Sequence, residues 1–530
     1  MNATPTINPI TDRHLGAQSH EPLDWMPEIS THAKPSPEDT GASPAAALMP
    51  NAWFAGRYPA VQKRHGNALQ IKENQQGQLT VADISEDFFA GTLGSEGSPK
   101  KPTVFVENES RFYTYVAETG LYTEQTEHAL AARLSPVMLQ CAREVRGGAV
   151  DVGNLIYRFR KTAALRGVLQ RAKGLLAVPH NFFDADLDKQ IPCANGLLRL
   201  ADLKLLPFSP AARRRNKLVV AYQPGAQCPR FLDTLMKPAL CEEDIDLLQR
   251  WCGLALVGTN MAQVVMLLTG TAGGGKGTFI RVLRGIIGPQ NMATLRTTLL
   301  GTRFELGRFL GRTLLYGADV APDFLNCASA SVLKSLTGAD PMTLEFKSTN
   351  ARPEIVCAFN VILTSNTHLR VRLQGDADAW RRRLRIVRYE NPPPEKVIAD
   401  LSEVILHNEA PGVLNWMLEG LRRVRDDGWR MGISPRQQSI VNNLLMECES
   451  PVRFVRDSLR KDASGSLTVD EMYERFCDYC VTRGWDTMPK AHFSSLAEEA
   501  VRRELGASRR NDIAGPNGKA QRGWKGIGWK

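Results

Sequence analysis

The sequence predicts an α/β core between a mixed α+β amino-terminal domain and a small carboxyl-terminal domain of helices and a hairpin. Three observations lead to this fold class. Residues 264–288 contain an apolar run, a glycine-rich loop and an amphipathic stretch, which is the order strand, loop, helix. Two later apolar runs close on Asp319 and Asn366, as parallel strands with polar groups at their carboxyl ends do. Residues 450–530 contain three stretches with one apolar face each and then two strand candidates.

The composition is that of an ordinary globular protein with room for several domains. Of the 530 residues, 43% are hydrophobic and 23% are charged. Lys and Arg outnumber Asp and Glu by 66 to 56, and the net charge of +10 favours a polyanionic partner. The sequence lacks a signal-peptide core and an apolar run of about 18 residues, so no membrane partner is expected. The ten cysteines are scattered, and the close pair Cys477 and Cys480 has no further metal-ligand partners, which favours buried thiols in the cytoplasm.

Composition and periodicity divide the chain into five segments. The first is rich in Pro, Ser, Thr and Ala and has no periodicity, which is typical of disorder. In chain order we predict a disordered leader (1–50), a mixed α+β domain (51–228), the α/β core with a helical lead-in (229–400), a helical segment that closes the core (401–449) and a carboxyl-terminal domain (450–530).

The amino-terminal domain shows both strand and helix patterns. Residues 111–123 alternate as a β-hairpin with Thr119 and Gly120 at the turn, and residues 128–145 and 153–176 each have the apolar stripe of one helix. The second helix has a basic face, which fits a solvated surface or a nucleic-acid surface equally well. Its basic residues are Arg158, Arg160, Lys161, Arg166, Arg171 and Lys173.

Asp184 and Asp186 have the spacing of two carboxylates on one face of a strand, as in a polymerase metal pair. Downstream, no His or further Asp arrangement completes a primase site. We therefore interpret the pair as part of an acidic turn that precedes a hairpin.

The glycine-rich loop has the composition that wraps a phosphate chain. Glycines let successive backbone N–H groups point inward, where any Cβ would obstruct them. Lys276 supplies a point charge for phosphate oxygens, and the helix that follows adds its dipole. The candidate nucleotide-binding residues are Gly270, Thr271, Ala272, Gly273, Gly274, Gly275, Lys276, Gly277 and Thr278.

Six separated stretches, in order over about 250 residues, resemble the superfamily 3 helicase module of phage, plasmid and poxvirus-type primase-helicases. The stretches are FDADLDKQIPCANGLLRL, GTAGGGKGT, LKSLTGADPMTLEFK, VILTSN, AWRRRLRIV and GVLNWMLEGLRRVRDDGW. The resemblance implies an AAA+-like P-loop ATPase core that hydrolyses ATP with Mg²⁺. It further implies a ring of copies, most often a hexamer, that translocates single-stranded DNA in a bacterial host cell.

The resemblance also implies roles for single residues. Lys276 and Thr278 bind ATP and Mg²⁺, Asp319 is the Walker B carboxylate that holds metal and water, and Asn366 senses the γ-phosphate. Arg382 or Arg383, ahead of Arg381, is the finger that enters a neighbouring copy's site. A hairpin before Asn366 grips single-stranded DNA through Lys347, assisted by Arg352.

Two residues depart from the family pattern. Gly277 stands where a Walker A loop usually has Ser or Thr, and the hydroxyl comes one residue later, at Thr278. One residue turns a side chain by about 100° on a helix, so Thr278 is expected to reach a metal differently. Ala318 precedes Asp319 where related helicases often have a second acid, which leaves Asp323 as a possible helper.

The carboxyl-terminal segment predicts three helices and a hairpin, a winged helix such as often ends this family. Residues 501–530 contain eight Lys or Arg against two Asp or Glu, interleaved with Trp524 and Trp529. This combination predicts contact with double-stranded DNA through phosphates and through packing on bases or sugars. The candidate DNA-binding residues here are Arg509, Arg510, Lys519, Arg522 and Lys525.

The sequence thus predicts a replicative DNA helicase that has single- and double-stranded DNA as ligands and a primase or polymerase as a further candidate partner. Three alternatives remain open. Residues 51–225 could make primers, which would give a bifunctional primase-helicase. Gly277 and the single Walker B acid also fit a non-catalytic origin-binding protein with a degenerate ATPase. Finally, the GKGT form occurs in adenylate-kinase-like enzymes.

Overall fold

The structure is a computed structural model, and its description here covers eleven stretches of the chain. These are residues 51–73, 75, 79–145, 152–321, 329–346, 354–366, 377–392, 398–448, 450–485, 487–515 and 518–530. The expected leader, residues 1–50, lies outside the described residues.

The amino-terminal part packs six helices against two small sheets. Its helices are α1 (Ala52–Arg57), α2 (Pro59–His65), α3 (Glu86–Gly91), α4 (Glu127–Glu144), α5 (Val152–Arg158) and α6 (Thr162–Leu175). Its strands are β1 (Leu69–Glu73), β2 (Leu79–Ile84), β3 (Thr103–Val106), β4 (Arg111–Val116), β5 (Leu121–Gln125) and β6 (Ala177–Val178), in sheets of order β1-β2 and β5-β4-β3-β6. Edge-to-face contacts of Phe88 with Phe54 and Phe89 lie at the centre of the helical core.

The hairpin predicted at residues 111–123 is confirmed, because β4 and β5 pair in antiparallel fashion from Val116 opposite Leu121. The helix predicted at residues 128–145 is confirmed as α4. The single helix predicted at 153–176 is wrong, because tight i→i+3 bonds end α5 and α6 begins at Thr162. The turn brings Arg160 Nε to 3.0 Å from Ser135 Oγ on α4, a tertiary contact that apolar periodicity does not encode.

A short three-stranded sheet joins this part to the core. Its strands are β7 (Gln190–Cys193), β8 (Gly196–Arg199) and β9 (Lys204–Leu206). Asp184 ends a short 3₁₀ helix, and Asp186 has a φ of +53° and pairs with Lys189 at 2.6 Å. The two carboxylates therefore lie in a turn before a hairpin, as predicted.

The core is a five-stranded parallel sheet. Strands β10 (Val265–Gly270), β11 (Met292–Thr294), β12 (Leu314–Gly317), β15 (Asn360–Ser365) and β16 (Leu384–Tyr389) have the spatial order β11-β12-β15-β10-β16. Between β12 and β15 the chain forms an antiparallel pair, β13 (Asp340–Thr343) with β14 (Glu354–Cys357). The remaining core elements are helices α7 (Glu242–Val257), α8 (Lys276–Ile287), α9 (Ser329–Thr337), α10 (Ala377–Arg383), α11 (Leu401–Asp426) and α12 (Pro435–Cys448).

Helices cover both faces of this sheet, which explains why β10 is apolar at successive positions. Met266 and Leu268 pack with α7, α8 and α11, whereas Val265 and Leu267 pack with α9, α10 and α12. Two glycines let α7 and α11 approach closely. A Cβ on Gly253 would lie 2.1 Å from Leu421 N, and a Cβ on Gly420 would lie 2.0 Å from Gln249 O.

The carboxyl-terminal part has the predicted three helices, but its sheet has three strands. The elements are α13 (Ser450–Ser458), β17 (Leu459–Thr468), α14 (Val469–Val481), α15 (Lys490–Leu505), β18 (Arg509–Ala514) and β19 (Ala520–Trp529), with antiparallel order β17-β19-β18. Strand β17 was not predicted from the sequence. Thr468 and Glu471 form a capping box that starts α14.

Candidate functional site

The glycine-rich loop lies at the carboxyl edge of the core sheet, between β10 and α8. Gly270, Gly273 and Gly275 have φ values of +125°, +83° and +99°, which residues with a Cβ rarely adopt. A Cβ on Gly270 would lie 2.1 Å from the carbonyl oxygen of Tyr389, the last residue of the neighbouring strand β16. Thr271 N donates to the same oxygen at 3.2 Å. The loop is therefore held against the end of β16.

Lys276 is the first residue of α8, and the loop surrounds its side chain. The residue is 7% exposed, and its Nζ donates to the carbonyl oxygens of Gly270 at 2.7 Å and Thr271 at 2.8 Å. Burial lowers the pKa of Lys276, and the negative charge of Asp319 opposes this shift. The ammonium group thus lies inside the loop and within electrostatic reach of Asp319.

Asp319 and Asn366 follow two adjacent strands, β12 and β15, at the same edge of the sheet. Asn366 Nδ2 donates to Asp319 Oδ1 at 3.1 Å, and both side chains are exposed. Asp319 has a φ of +41°, and its backbone N–H donates to Thr364 Oγ1 at 3.1 Å. The structure therefore brings Lys276, Asp319 and Asn366 together, as parallel strands with polar carboxyl ends predict.

The first turn of α8 contains a contact that the sequence did not reveal. Thr278 Oγ1 accepts a hydrogen bond from Arg281 Nη2 at 3.0 Å. Gly277 is exposed, and the atom nearest to an added Cβ would be Arg281 Nη1 at 3.7 Å. The spacing of Arg281 from Thr278 (i, i+3) and from Gly277 (i, i+4) could have indicated this contact. An exposed helical Arg is usually a solvated side chain, however. Asp323, the possible helper of Asp319, lies outside the described residues.

The three arginines of α10 lie at the amino ends of the core strands, opposite the glycine loop. Leu384, which follows Arg383, pairs with Val265 at the start of β10, whereas Gly270 pairs with Tyr389 at the far end. The structure therefore does not bring Arg381, Arg382 or Arg383 to the glycine loop of the same chain.

The three arginines of α10 differ in how far they are free to reach another molecule. Arg382 is exposed and forms no ion pair within the described residues. Arg381 pairs with Asp378 and donates to Asn442 Oδ1 at 3.3 Å. Arg383 is 8% exposed and donates to the carbonyl oxygen of Ala379, so its expected role as an outward-reaching finger does not fit its burial.

The hairpin expected before Asn366 is represented by the antiparallel pair β13 and β14. Lys347 and Arg352, the candidate residues for single-stranded DNA, lie outside the described residues.

The basic residues at the carboxyl end differ in how they are paired. Arg509 pairs with Glu498 at 2.9 Å, and Arg510 makes two bonds to Asp512, at 2.8 and 2.7 Å. Lys525 lies 3.7 Å from the same carboxylate. Lys519 and Arg522 are exposed, and neither forms an ion pair within the described ranges.

The expected packing of Trp524 on DNA bases or sugars is wrong. Trp524 is 0% exposed and belongs to the core of the carboxyl-terminal part, because β19 turns this face onto the three helices. Trp529 packs against Phe454, and the guanidinium of Arg475 lies 4.5 Å from its ring centre.

Where the chain is described, no three His, Cys, Asp or Glu side chains group in a way that could hold a metal ion. No helix in the described stretches has the length and apolar character to span a membrane.

Two family models match parts of the chain. Residues 114–237 match the D5 N terminal like family, and residues 268–383 match a family of unknown function (DUF5906). The second match contains Lys276, Asp319, Asn366 and Arg382. The first supports the coarser part of the resemblance, a phage-type primase-helicase.

Solved structures of the NrS-1 C-terminal region are similar in part. One apo A-form structure has 12% identity and a TM-score of 0.43, over 76% of this chain and 84% of that chain. A second apo structure has 11% identity and a TM-score of 0.44, over 81% and 97%. No curated protein matches the chain.

Proposed function

We propose that this protein is an ATP-dependent DNA helicase of the superfamily 3 type that acts in the replication of a phage, plasmid or other mobile element. One observation carries the proposal. The Asp319 carboxylate accepts a hydrogen bond from Asn366 at the sheet edge that also holds Lys276 in its glycine loop. A cationic loop beside an oriented carboxylate is the arrangement that phosphoryl transfer to water requires.

The residues of this edge fit ATP and Mg²⁺. Three loop glycines have positive φ values and no Cβ, so phosphate oxygens can approach the backbone N–H groups of the loop. The amino end of α8 adds the positive end of the helix dipole. Lys276 would bind the β- and γ-phosphates, and Asp319 and Thr278 are the candidate metal ligands. Bound Mg²⁺ would neutralise charge on the phosphate oxygens.

Asp319 and Asn366 have separate tasks in this proposal. The Asp319 carboxylate orients the attacking water, and the amide of Asn366 holds that carboxylate at 3.1 Å. Asn366 keeps a second amide proton and its carbonyl for the γ-phosphate and water. Because both side chains are exposed, they are accessible to a ligand.

The proposal places ATP at the boundary between two copies, in a ring of six. Arg382 is exposed at the amino edge of the sheet, on the side opposite the glycine loop. The six residues of β16 rise by about 3.3 Å each, so the two edges are roughly 20 Å apart. Arg382 can therefore act only in the site of a neighbouring copy.

DNA would bind at two places. The β13–β14 hairpin would carry a single strand through Lys347 and Arg352. The three helices and three strands at the carboxyl end would form a winged helix that binds double-stranded DNA through Lys519 and Arg522, with Lys525, Arg509 and Arg510 in support. A primase or polymerase would be a further partner.

ATP turnover with and without single-stranded DNA, together with separation of a labelled duplex, tests the proposal. We expect DNA-stimulated turnover in the wild type and its loss in Lys276→Ala. Lys204→Ala is a matched control, because Lys204 is an exposed lysine on β9. DNA binding without turnover would instead favour the non-catalytic origin-binding alternative. In the described residues nothing favours primer synthesis.

A further inference from the structure

Arg281 lies one helical turn after Gly277, and its side chain folds back toward the glycine loop. Helical side chains tilt toward the amino end, so residue 281 covers the surface next to residue 277. Nη2 lies 3.0 Å from Thr278 Oγ1, and Nη1 would lie 3.7 Å from a Cβ on Gly277. On its other side, Nε donates to Ser402 Oγ at 3.0 Å. The guanidinium thus occupies space that a side chain at 277 would otherwise share.

The guanidinium of Arg281 is paired with hydroxyl groups in the part of the chain that the structure describes. No carboxylate among the described residues forms an ion pair with Arg281; its partners are the two hydroxyl groups of Thr278 and Ser402. The amino end of a helix already carries a partial positive charge, and cations are unfavourable there. Lys276, in the first turn of the helix, adds a second positive charge. Asp319 offsets the charge of Lys276, but no described carboxylate pairs with Arg281, so the arrangement points to a bound anion beside Arg281.

We infer that Arg281 is a phosphate-binding residue of the nucleotide site, in which its guanidinium donates to a non-bridging phosphate oxygen across the space left by Gly277. The inference rests on the proposed function and adds to it. Guanidinium groups bind phosphate through charge-assisted hydrogen bonds, often two in parallel. In other phosphate loops a Ser or Thr at the position of Gly277 holds a metal ion, which supplies positive charge to the phosphates. In this chain the guanidinium of Arg281 supplies part of that charge.

A consequence concerns the metal. Thr278 Oγ1 accepts a hydrogen bond from Arg281, so Thr278 can bind a metal ion only after that bond breaks, and the ion would then lie close to the guanidinium. Nucleotide binding in this chain should therefore depend less on Mg²⁺ than in a loop with Ser or Thr at 277.

The test measures binding of fluorescent ADP to the full chain, once with Mg²⁺ and once with EDTA. The variants are Arg281→Met, Arg281→Lys and two controls. Ser402→Ala removes the structural contact but keeps the guanidinium. Arg284→Met removes an exposed arginine from the last turn of the same helix.

We expect Arg281→Met to bind ADP about tenfold more weakly in EDTA, equivalent to about 1.4 kcal/mol, with a smaller loss in Mg²⁺. Arg281→Lys should recover part of the loss, and both controls should bind as the wild type does. Wild-type affinity of Arg281→Met in EDTA would overturn the inference, as would an equal loss in Ser402→Ala. If the wild type hydrolyses ATP and Lys276→Ala does not, either result leaves the proposed function standing. If the wild type binds no nucleotide, both fail.

Discussion

Replacement of Gly277 by Ser should place a hydroxyl at the position where a phosphate loop usually holds its metal ion. The nearest atom to an added Cβ is Arg281 Nη1 at 3.7 Å, which is an ordinary van der Waals distance. Position 277 also lies in the first turn of α8, where glycine costs up to about 1 kcal/mol relative to alanine. The substitution is therefore expected to be sterically neutral and slightly stabilising.

The functional effect should appear in the magnesium requirement. Adding or removing a group that supports a metal ion changes the affinity of the site for that ion by about tenfold or more. An added hydroxyl should therefore lower the Mg²⁺ concentration that gives half-maximal ATP turnover by about tenfold. The assay is a magnesium titration at fixed ATP for the wild type, Gly277→Ser and Gly277→Ala. The alanine variant shares the gain in helix stability but adds no hydroxyl. Identical magnesium midpoints for serine and alanine would refute the reasoning that a hydroxyl at 277 reaches the metal.

Three further predictions concern the Asp319–Asn366 pair, the proposed role of Arg382 and the carboxyl-terminal part. Asn366→Ala should lower ATP turnover by roughly a hundredfold, because it removes the hydrogen-bond donor that orients Asp319. The free energy of unfolding should change by less than about 0.5 kcal/mol, because position 366 is exposed. Arg382→Ala and Lys276→Ala should each be inactive alone, yet a mixture should regain turnover; a mixture as inactive as its parts would contradict a shared site. Replacing Lys519 and Arg522 by Gln should lower the salt dependence of double-stranded DNA binding by about two phosphate contacts. Arg510→Gln should lower it less, because the guanidinium of Arg510 is already paired with Asp512 through two hydrogen bonds.

The core and its candidate site were predictable because they depend on local signals. Strand β10 is apolar from Val265 to Leu268, the glycine run disfavours a helix, and α8 follows with a single apolar stripe. Asp319 and Asn366 are 47 positions apart in sequence, but Asn366 directly follows β15 and Asp319 follows β12 after one residue, in the same parallel sheet. Parallel strands end at one edge, so the pattern alone predicts that their polar ends meet.

Features that depend on tertiary partners were not predictable. Strand β17 is polar and largely exposed, and it is extended because β19 pairs with it. Trp524 could be placed on DNA from composition alone, whereas its burial depends on which face of β19 meets the helices. Arg281 resembles any solvated helical arginine until the direction of its side chain is known.

The polarity of the parallel sheet has a consequence for assembly. The glycine loop and the Asp319–Asn366 pair occupy the carboxyl edge, whereas the exposed Arg382 occupies the amino edge of the same sheet. An interface that joins these two surfaces uses different patches on its two sides, so it is heterologous and repeats head to tail. A repeat of this kind forms a ring when its rotation closes and a filament when it does not. Because each site then needs a residue from the next copy, turnover should rise more steeply than in proportion to protein concentration until the copies have assembled.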